Sequence, residues 1–568
     1  MSYGIIILLD THESVFTIYM KLYNLRFAAG IGIVIFAFLV RFWALGSVPL
    51  GFHEDEAAFG YNAYSLLMTG RDEYGVKYPL IMKSFSDYKG AVYSYITVPF
   101  IAAFGLNEWS VRAPSAFFGV LFVILTYLFV YKISRNFELA IISMALAAIS
   151  PTGILLSRIQ SDPIVSISLF YLSLYLWLVW VQQRKAFLLA GILTCIFLSF
   201  FTNTVTRIFS IPILLLLALF YWKQWDAAVR KGYILVVFFT VTHLTYLTIF
   251  SSGARLTQVS VFSKADVQLL LEEEIREDTV QGVPYALLRG AHNKITAYGR
   301  YLLKNYTDYL SFDFLFYQAK QPQREQIPGV GIMLLIELPF LLAGIYSVIR
   351  FKQTYGLFSI LWVLLVPLVV SFASDETPNI HRFFLALLPI HILVASGIVF
   401  ARRNFLIQKP AILITLTIFL FSLNEMYYLH QLFIHQPVHS SMYRQAERKE
   451  LALSIKPYYA TYDVIVSQKI LEHILFFWKY DPEIYQQHGS PRDTDNSWYQ
   501  KFFFVTDACP SKFNTPLIKE IKADRILYID KAECGVDPKD ILIDTIRFKN
   551  SLDAYYLVEK SPLLTDPL

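Results

Sequence analysis

Eleven stretches of this chain stay apolar over lengths near the roughly 20 residues that a helix needs to cross a hydrocarbon core, and they leave few folds open to it. They lie near 25–45, 113–131, 137–155, 164–182, 186–202, 208–222, 232–250, 329–349, 355–373, 383–401 and 410–430. In lipid, each backbone N–H and C=O must find its partner inside the protein, so runs of this kind specify packed helices. The expected fold class is an α-helical polytopic membrane protein with about eleven transmembrane helices. Composition agrees with it: 55% of the 568 residues are hydrophobic, 16% are charged and the mean hydropathy is +0.47, far from a soluble domain.

The net charge of +5 is small for this length, and the basic residues fall in short clusters between the apolar runs. Nucleic acid is therefore not an expected partner, and the clusters report topology instead. Lys132/Arg135, Arg184/Lys185, Lys223/Arg230/Lys231, Arg350/Lys352 and Arg402/Arg403/Lys409 occupy connections on one side. By the positive-inside rule that side is cytoplasmic. The other side then receives 46–112, 157–163, 202–207, 251–328, 374–382 and the tail from about 431. The break at 202–207 is modest, and fusing the runs beside it would invert everything after; five agreeing basic loops argue against fusion. The patch Ile5 to Leu9 is too short for a signal-peptide core and has no basic residues before it, so the first span reads as an uncleaved anchor in a multi-pass cell-membrane protein.

Two domains are expected, 1–430 in the membrane and 431–568 outside the cytoplasm. In the second, Val464-Ile465-Val466, Phe502-Phe503-Phe504-Val505 and Arg525-Ile526-Leu527-Tyr528-Ile529 read as buried strands, with helices over 441–455 and 468–480. That pattern predicts a small α/β domain. Cys509 and Cys534 share its oxidising compartment and can bridge there; with Cys195 in an apolar run, the three cysteines show no metal-binding spacing.

Polar groups crowd the outward side. His53, Glu54, Asp55, Glu56, Asp87, Lys89 and Arg112 belong to the first outer loop, Arg158 and Asp162 to the second, Arg207 to the third, and Asp375, Glu376, His381 and Arg382 to a later one. Carboxylates beside several cations at a membrane surface suit a reaction in which a base removes a proton while a cationic pocket holds a departing phosphate. Plainer readings exist for each. Asp55 and Glu56 open a helical pattern where acids serve as caps. Arg112 can anchor a span by snorkelling, and His381 and Arg382 can be interfacial anchors. Arg158 and Asp162 are spaced to pair across one helical turn. Glu337, inside a run, is expected to face the bundle interior with a partner, and Glu272 to Asp278 to form a solvated helix face.

The segment Leu50-Gly51-Phe52-His53-Glu54-Asp55-Glu56-Ala57-Ala58-Phe59-Gly60-Tyr61, then Asp87-Tyr88-Lys89-Gly90, and Phe104-Gly105-Leu106-Asn107-Glu108-Trp109-Ser110-Val111-Arg112-Ala113-Pro114 resemble the first outer loop of the GT-C glycosyltransferases. The resemblance is to the protein O-mannosyltransferase superfamily and the aminoarabinose transferases of lipid A. Ser150-Pro151, Ser157-Arg158-Ile159-Gln160-Ser161-Asp162-Pro163, Thr206-Arg207, Gly253-Ala254-Arg255 and Pro378-Asn379-Ile380-His381-Arg382 are similar to later landmarks of that superfamily.

The resemblance implies a GT-C-like inverting transferase acting at the outer face. It would move a sugar from a polyprenyl-phosphate donor to an acceptor that the sequence does not identify: protein, lipid or glycan. Asp55 would be the general base, Glu56 would orient its loop, and Asp162 would complete the catalytic carboxylates. Lys89, Arg158, Arg207, His381 and Arg382 would form the donor-phosphate set. A divalent cation is possible at His381, although the Glu-Lys-Pro form of the aminoarabinose transferases is absent beside Lys89, which leaves any metal site unassigned. No glycine-rich nucleotide loop stands out, in keeping with a lipid-linked donor. The rival classes are a transporter or flippase of lipid-linked sugars, which would place ionisable groups at mid-membrane and show repeated halves, and a non-catalytic relative that only binds such lipids.

Overall fold

A computed structural model describes residues 26–84, 87–249, 261–263, 265–319, 322–373, 376–405, 410–489, 497–512 and 523–560. Each of the eleven apolar runs holds a helix, and the helices are unequal. Among the described residues five, Glu108–Ser134, Asp162–Gln183, Thr204–Gln224, Ala227–Leu247 and Ile380–Asn404, are individually long and apolar enough to cross a membrane. Phe137–Ala148 and Pro151–Ser157 make a sixth if taken together, bent by 55°. The bend is written in Ser150-Pro151: proline cannot continue the helical ladder, and Ser150 Oγ accepts from the Gly153 N–H at 3.3 Å, which starts a new helix.

The remaining runs hold helices over residues 26–42, Ala186–Phe200, Glu337–Phe351, Thr354–Val370 and Pro410–His430; of these, Ala186–Phe200 and Thr354–Val370 are apolar but short. The break at 202–207 is real. Ala186–Phe200 and Thr204–Tyr221 are separate helices, the second capped by Asn203, whose Oδ1 accepts from the Val205 N–H at 2.8 Å. The run over 329–349 turns helical only at Glu337. Glu337 thus opens a helix instead of interrupting one, and its Oε1 accepts from the Leu334 N–H at 3.2 Å.

Two glycines set how closely the later helices approach. A Cβ on Gly344 would lie 1.9 Å from the Leu393 carbonyl oxygen, and one on Gly397 would lie 1.8 Å from that of Phe340. Backbone contact of this kind takes the place of a hydrophobic driving force between helices in lipid.

The basic connections gather at one end of the bundle, where they pair with one another. Arg184 meets Asp226 at 2.9 Å, Arg402 meets Glu138 at 2.5 Å, and Lys132 donates to Gln182 at 2.6 Å. At the other end sit the first outer loop, with its helices Glu54–Thr69 and Val92–Phe104, and the segment past the bundle.

That last segment carries a six-stranded sheet in the order Ser497–Tyr499, Phe502–Phe504, Val464–Ser467, Ile526–Lys531, Asp553–Glu559, Ile541–Arg547. The three central strands expected from the apolar patches are parallel, and the outer three add antiparallel pairings. Helices form over Ala446–Tyr458 and Leu471–Phe477, each shorter than or displaced from its expected range. Cys509 and Cys534 are bridged across a Cα–Cα distance of 5.6 Å. Tyr61, from the first outer loop, is buried in the same apolar cluster as Leu475, Phe504 and Leu557, so this region is packed against the loop that holds the candidate base.

In the long outer segment, Glu274 on the helix Ala265–Val280 pairs with Arg300 and His292, and Asp278 with His292. The acidic face is therefore partly paired with the helix beside it. Met1 to Asp10, Gly253-Ala254-Arg255 and Asp375 lie outside the described residues.

Candidate active site

A cavity of about 630 Å³ opens at the end of the bundle away from the paired basic connections, and Asp55, Glu56, Lys89, Asp162, Arg207, His381 and Arg382 all line it. Loops separated by more than three hundred residues meet there.

Local structure frees Asp55 for this cavity. The cap of the helix Glu54–Thr69 is His53, whose Nδ1 accepts from the Asp55 N–H at 3.2 Å. The Asp55 carboxylate is therefore not the capping group. Its Oδ1 accepts from Lys89 Nζ, and its Oδ2 lies 3.5 Å from the His53 ring. Burial pushes the carboxyl up, but Lys89 and His53 outweigh it and hold Asp55 well below the usual carboxylate range. It is an anion poised beside a cation.

Lys89 reaches that position from a hairpin, Ile81–Ser84 paired with Asp87–Gly90. The hairpin presses on the turn after Ala186–Phe200: a Cβ on Gly90 would lie 2.1 Å from the Phe201 carbonyl oxygen, and the Val92 N–H donates to that same oxygen at 3.3 Å. This close approach, which only glycine allows, puts Lys89 next to the connection bearing Arg207. Arg207 donates through Nε to the Phe200 carbonyl at 2.7 Å.

Glu56 does different work. It is 2% exposed; Oε2 accepts from Arg112 Nε and Nη2 at 3.0 and 2.9 Å, and Oε1 accepts from Arg444 Nη2 at 2.5 Å. Arg112 also donates to the carbonyls of Leu45, Pro49 and Gly51. It is buried in an ion pair, so the anchor reading of Arg112 is corrected: its donors are needed inside the loop.

Asp162 opens the helix Asp162–Gln183 and accepts from Asn203 Nδ2 at 2.7 Å. The pairing with Arg158 is not formed. Arg158 is fully buried and donates to the carbonyls of Val40, Trp43 and Val48. Those carbonyls at the end of the first helix take its guanidinium, and Arg158 does not line the cavity.

His381 and Arg382 stand on the short turn Ile380–Phe383, capped by Asn379, whose Oδ1 accepts from both their N–H groups at 2.9 and 3.3 Å. His381 Nε2 lies 4.0 Å from Glu325 Oε1. Among the described residues no group of three or more His, Cys, Asp and Glu is placed to hold a metal ion.

Three groups enter the site that the sequence patterns do not single out. Arg324 lines the cavity and pairs with Glu376 at 2.9 Å. Glu325, 5% exposed, accepts both Oε contacts from Arg444. Neither Gln323-Arg324-Glu325 nor Arg444 stands in a recognisable spacing.

Residues 31–297 match the family described as dolichyl-phosphate-mannose-protein mannosyltransferase. The matched stretch is just under half of the 568-residue chain. It contains Asp55, Glu56, Lys89, Asp162 and Arg207, whereas Arg324, Glu325, His381, Arg382 and Arg444 lie beyond it. No curated protein matches the sequence. Among solved structures, the chain is similar to ArnT from Cupriavidus metallidurans bound to undecaprenyl phosphate, with a TM-score of 0.49, 11% identity and coverage of 95% of this chain and 99% of that one. It is also similar to the archaeal oligosaccharyltransferase AglB from Archaeoglobus fulgidus in complex with an inhibitory peptide and a dolichol-phosphate, with a TM-score of 0.46, 13% identity and coverage of 85% and 62%.

Proposed function

We propose that this protein is an inverting glycosyltransferase that moves a sugar from a polyprenyl-phosphate carrier to an acceptor at the outer face of the membrane. One observation carries the reading: an anionic carboxylate, Asp55, faces a cavity that Lys89, Arg207 and Arg382 also line, within or beside a stretch that matches a family described by a dolichyl-phosphate-linked sugar. Asp55 takes the proton of the attacking acceptor group. The new bond forms at the anomeric carbon as its bond to the phosphate oxygen breaks, and the polyprenyl phosphate departs as an anion held by the cations, with no acid required. Asp162 and Asn203 offer polar partners for sugar hydroxyls. Ile208, Leu244, Leu247, Val369 and Val370 supply an apolar wall from three membrane helices, which suits a donor whose tail stays in lipid.

Lys89 has two claims on it in this scheme, Asp55 and the donor phosphate. Neutralising Lys89, Arg207 or Arg382 should each weaken use of the lipid-linked donor, and a charge contact in a desolvated site is typically worth about 2–5 kcal/mol. Unchanged donor dependence in all three variants would place the phosphate elsewhere. Lys89→Met has a further signature. Asp55 is depressed because Lys89 and His53 overcome burial; without Lys89 the largest opposing charge is gone and the carboxyl rises. The acid limb of kcat/KM, which reports the free enzyme, should therefore move to higher pH in Lys89→Met. By the same sign, the stability that the Asp55–Lys89 pair adds in wild type is present above the unfolded carboxyl value and is lost as pH falls through the lower folded one.

The topology that goes with this function has eleven spans, an inside amino terminus and the region from 431 outside. The clustering of the basic loops at the far end from the cavity and the Cys509–Cys534 bridge support it, since disulfides persist in oxidising compartments. A reporter fused after His430 is expected to be active only outside the cytoplasm; cytoplasmic labelling of the tail would move every proposed site residue to the wrong face.

A further inference from the structure

The segment that leads from the last membrane helix into the sheet closes directly on the loop holding the candidate base. Gln436 Oε1 accepts from the Leu50 N–H at 3.1 Å, Gln445 Oε1 accepts from the Glu54 N–H at 2.9 Å, and Arg448 pairs with Glu54 at 3.0 Å. Arg444 lies between these contacts and is 1% exposed. Its approach is so close that Gly51, at φ +100, has no room for a side chain: a Cβ there would lie 2.5 Å from Arg444 Cβ and 2.8 Å from its carbonyl oxygen.

The Arg444 guanidinium is divided between two buried acids from different parts of the chain. Nη2 donates to Glu56 Oε1 at 2.5 Å, and Nη1 donates to Glu325 Oε1 and Oε2 at 3.1 and 3.0 Å. With Arg112 on the other oxygen of Glu56, the result is a buried row of alternating charge, Arg112, Glu56, Arg444, Glu325. At one end Glu56 is the residue after Asp55. At the other, Glu325 lies 4.0 Å from His381 and is followed back along the chain by Arg324, which pairs with Glu376. Arg444 itself is not among the residues lining the cavity.

The geometry points to Arg444 as a positioning residue that makes the region past residue 430 part of the catalytic apparatus, fixing the Asp55 loop through Glu56 and the His381–Arg382 turn through Glu325. This inference rests on the glycosyl-transfer reading above for its catalytic meaning. A fork of fixed geometry holding two carboxylates apart is a task for arginine, and a lysine supplies the charge without the fork.

The test uses the full-length protein in lipid nanodiscs, with Arg444→Gln, Arg444→Lys and the double variant Arg444→Gln/Glu325→Gln. Four quantities are read: thermal stability, hydrogen exchange over peptides covering 51–60, and kcat and KM for a polyprenyl-phosphate mannose donor. Arg444→Gln should raise exchange over 51–60 by about tenfold and lower kcat by about thirtyfold or more, with KM for the donor within about threefold. Arg444→Lys should recover part of kcat. The double variant removes the Glu325 charge, which without Arg444 keeps only Arg324 at 3.7 Å and His381 at 4.0 Å, so its stability should return toward wild type while exchange and kcat stay at the level of the single variant. Unchanged exchange over 51–60 in Arg444→Gln, or a kcat that recovers together with stability in the double variant, would show Arg444 to be only a counter-charge and overturn the inference. Wild-type protein that consumes no lipid-linked donor would sink the glycosyl-transfer reading alone, because the exchange measurement still decides whether Arg444 sets the loop.

Discussion

Asp55→Asn should fold and insert normally while sugar transfer falls by about a hundredfold or more, the range expected for loss of a positioned base. Two features of the structure separate this outcome from a capping defect. His53, not Asp55, caps the helix Glu54–Thr69, so no cap is lost. Asparagine also keeps the size of the part-buried side chain and an oxygen that can still accept from Lys89, so the fold is retained. If Asp55 served only the helix terminus, Asp55→Asn would be nearly silent and Asp55→Ala would lower stability. Sugar transfer and thermal unfolding measured on both variants distinguish the cases. A folded, active Asp55→Asn protein would remove Asp55 from the chemistry and make Glu54 or Glu56 the next base to test, with Glu56 the weaker choice because two arginines already hold its oxygens.

Arg112→Met should be the most destabilising of the single changes considered, by about 3–5 kcal/mol, as when one member of a buried ion pair is removed and its partner is left charged. The methionine fills the volume but supplies none of the donors that now satisfy Glu56 and the Leu45, Pro49 and Gly51 carbonyls. Arg184→Gln is the internal comparison. Its ion pair with Asp226 is exposed at the opposite end of the bundle, and its loss should leave stability close to wild type, as is usual for solvated surface pairs. The folded fraction surviving a temperature ramp, read by fluorescence-detected size exclusion, ranks the two. Equal losses would mean that Arg112 is an interfacial anchor after all.

The difference between these two arginines marks where sequence reading reached and where it stopped. Apolar runs locate the helices because lipid imposes one requirement on every residue of a span, and that requirement is local. The break at 202–207 was legible for the same reason, because a capping side chain acts on its immediate neighbours; the bend at Ser150-Pro151 was not read, since the apolar run 137–155 continues across it. The acidic loop at Glu54 to Glu56 and the cations Lys89, Arg207 and Arg382 were legible as a set because all fall on one side of the bundle. Which acid pairs with which base was not, since it depends on contacts such as Glu56 with Arg444, 388 positions apart. Arg158 shows the same limit. Its spacing from Asp162 suits a helical pair, but a bend separates them, and the nearer carbonyls of the first helix take its donors. Ile541–Arg547 lies at the sheet edge with Ile541 and Leu542 about half exposed, so its pattern carries little of the burial signal that announces the three central strands.

The most direct test is donor consumption by the purified full-length protein in nanodiscs, following release of polyprenyl phosphate from a labelled polyprenyl-phosphate mannose beside the same assay with a nucleotide-linked mannose. Wild-type protein should release polyprenyl phosphate and leave the nucleotide sugar intact, and Asp55→Asn should release it at about a hundredth of the wild-type rate or less. Consumption of the nucleotide sugar, or equal release of polyprenyl phosphate by wild type and Asp55→Asn, would contradict a lipid-linked donor cleaved at this carboxylate.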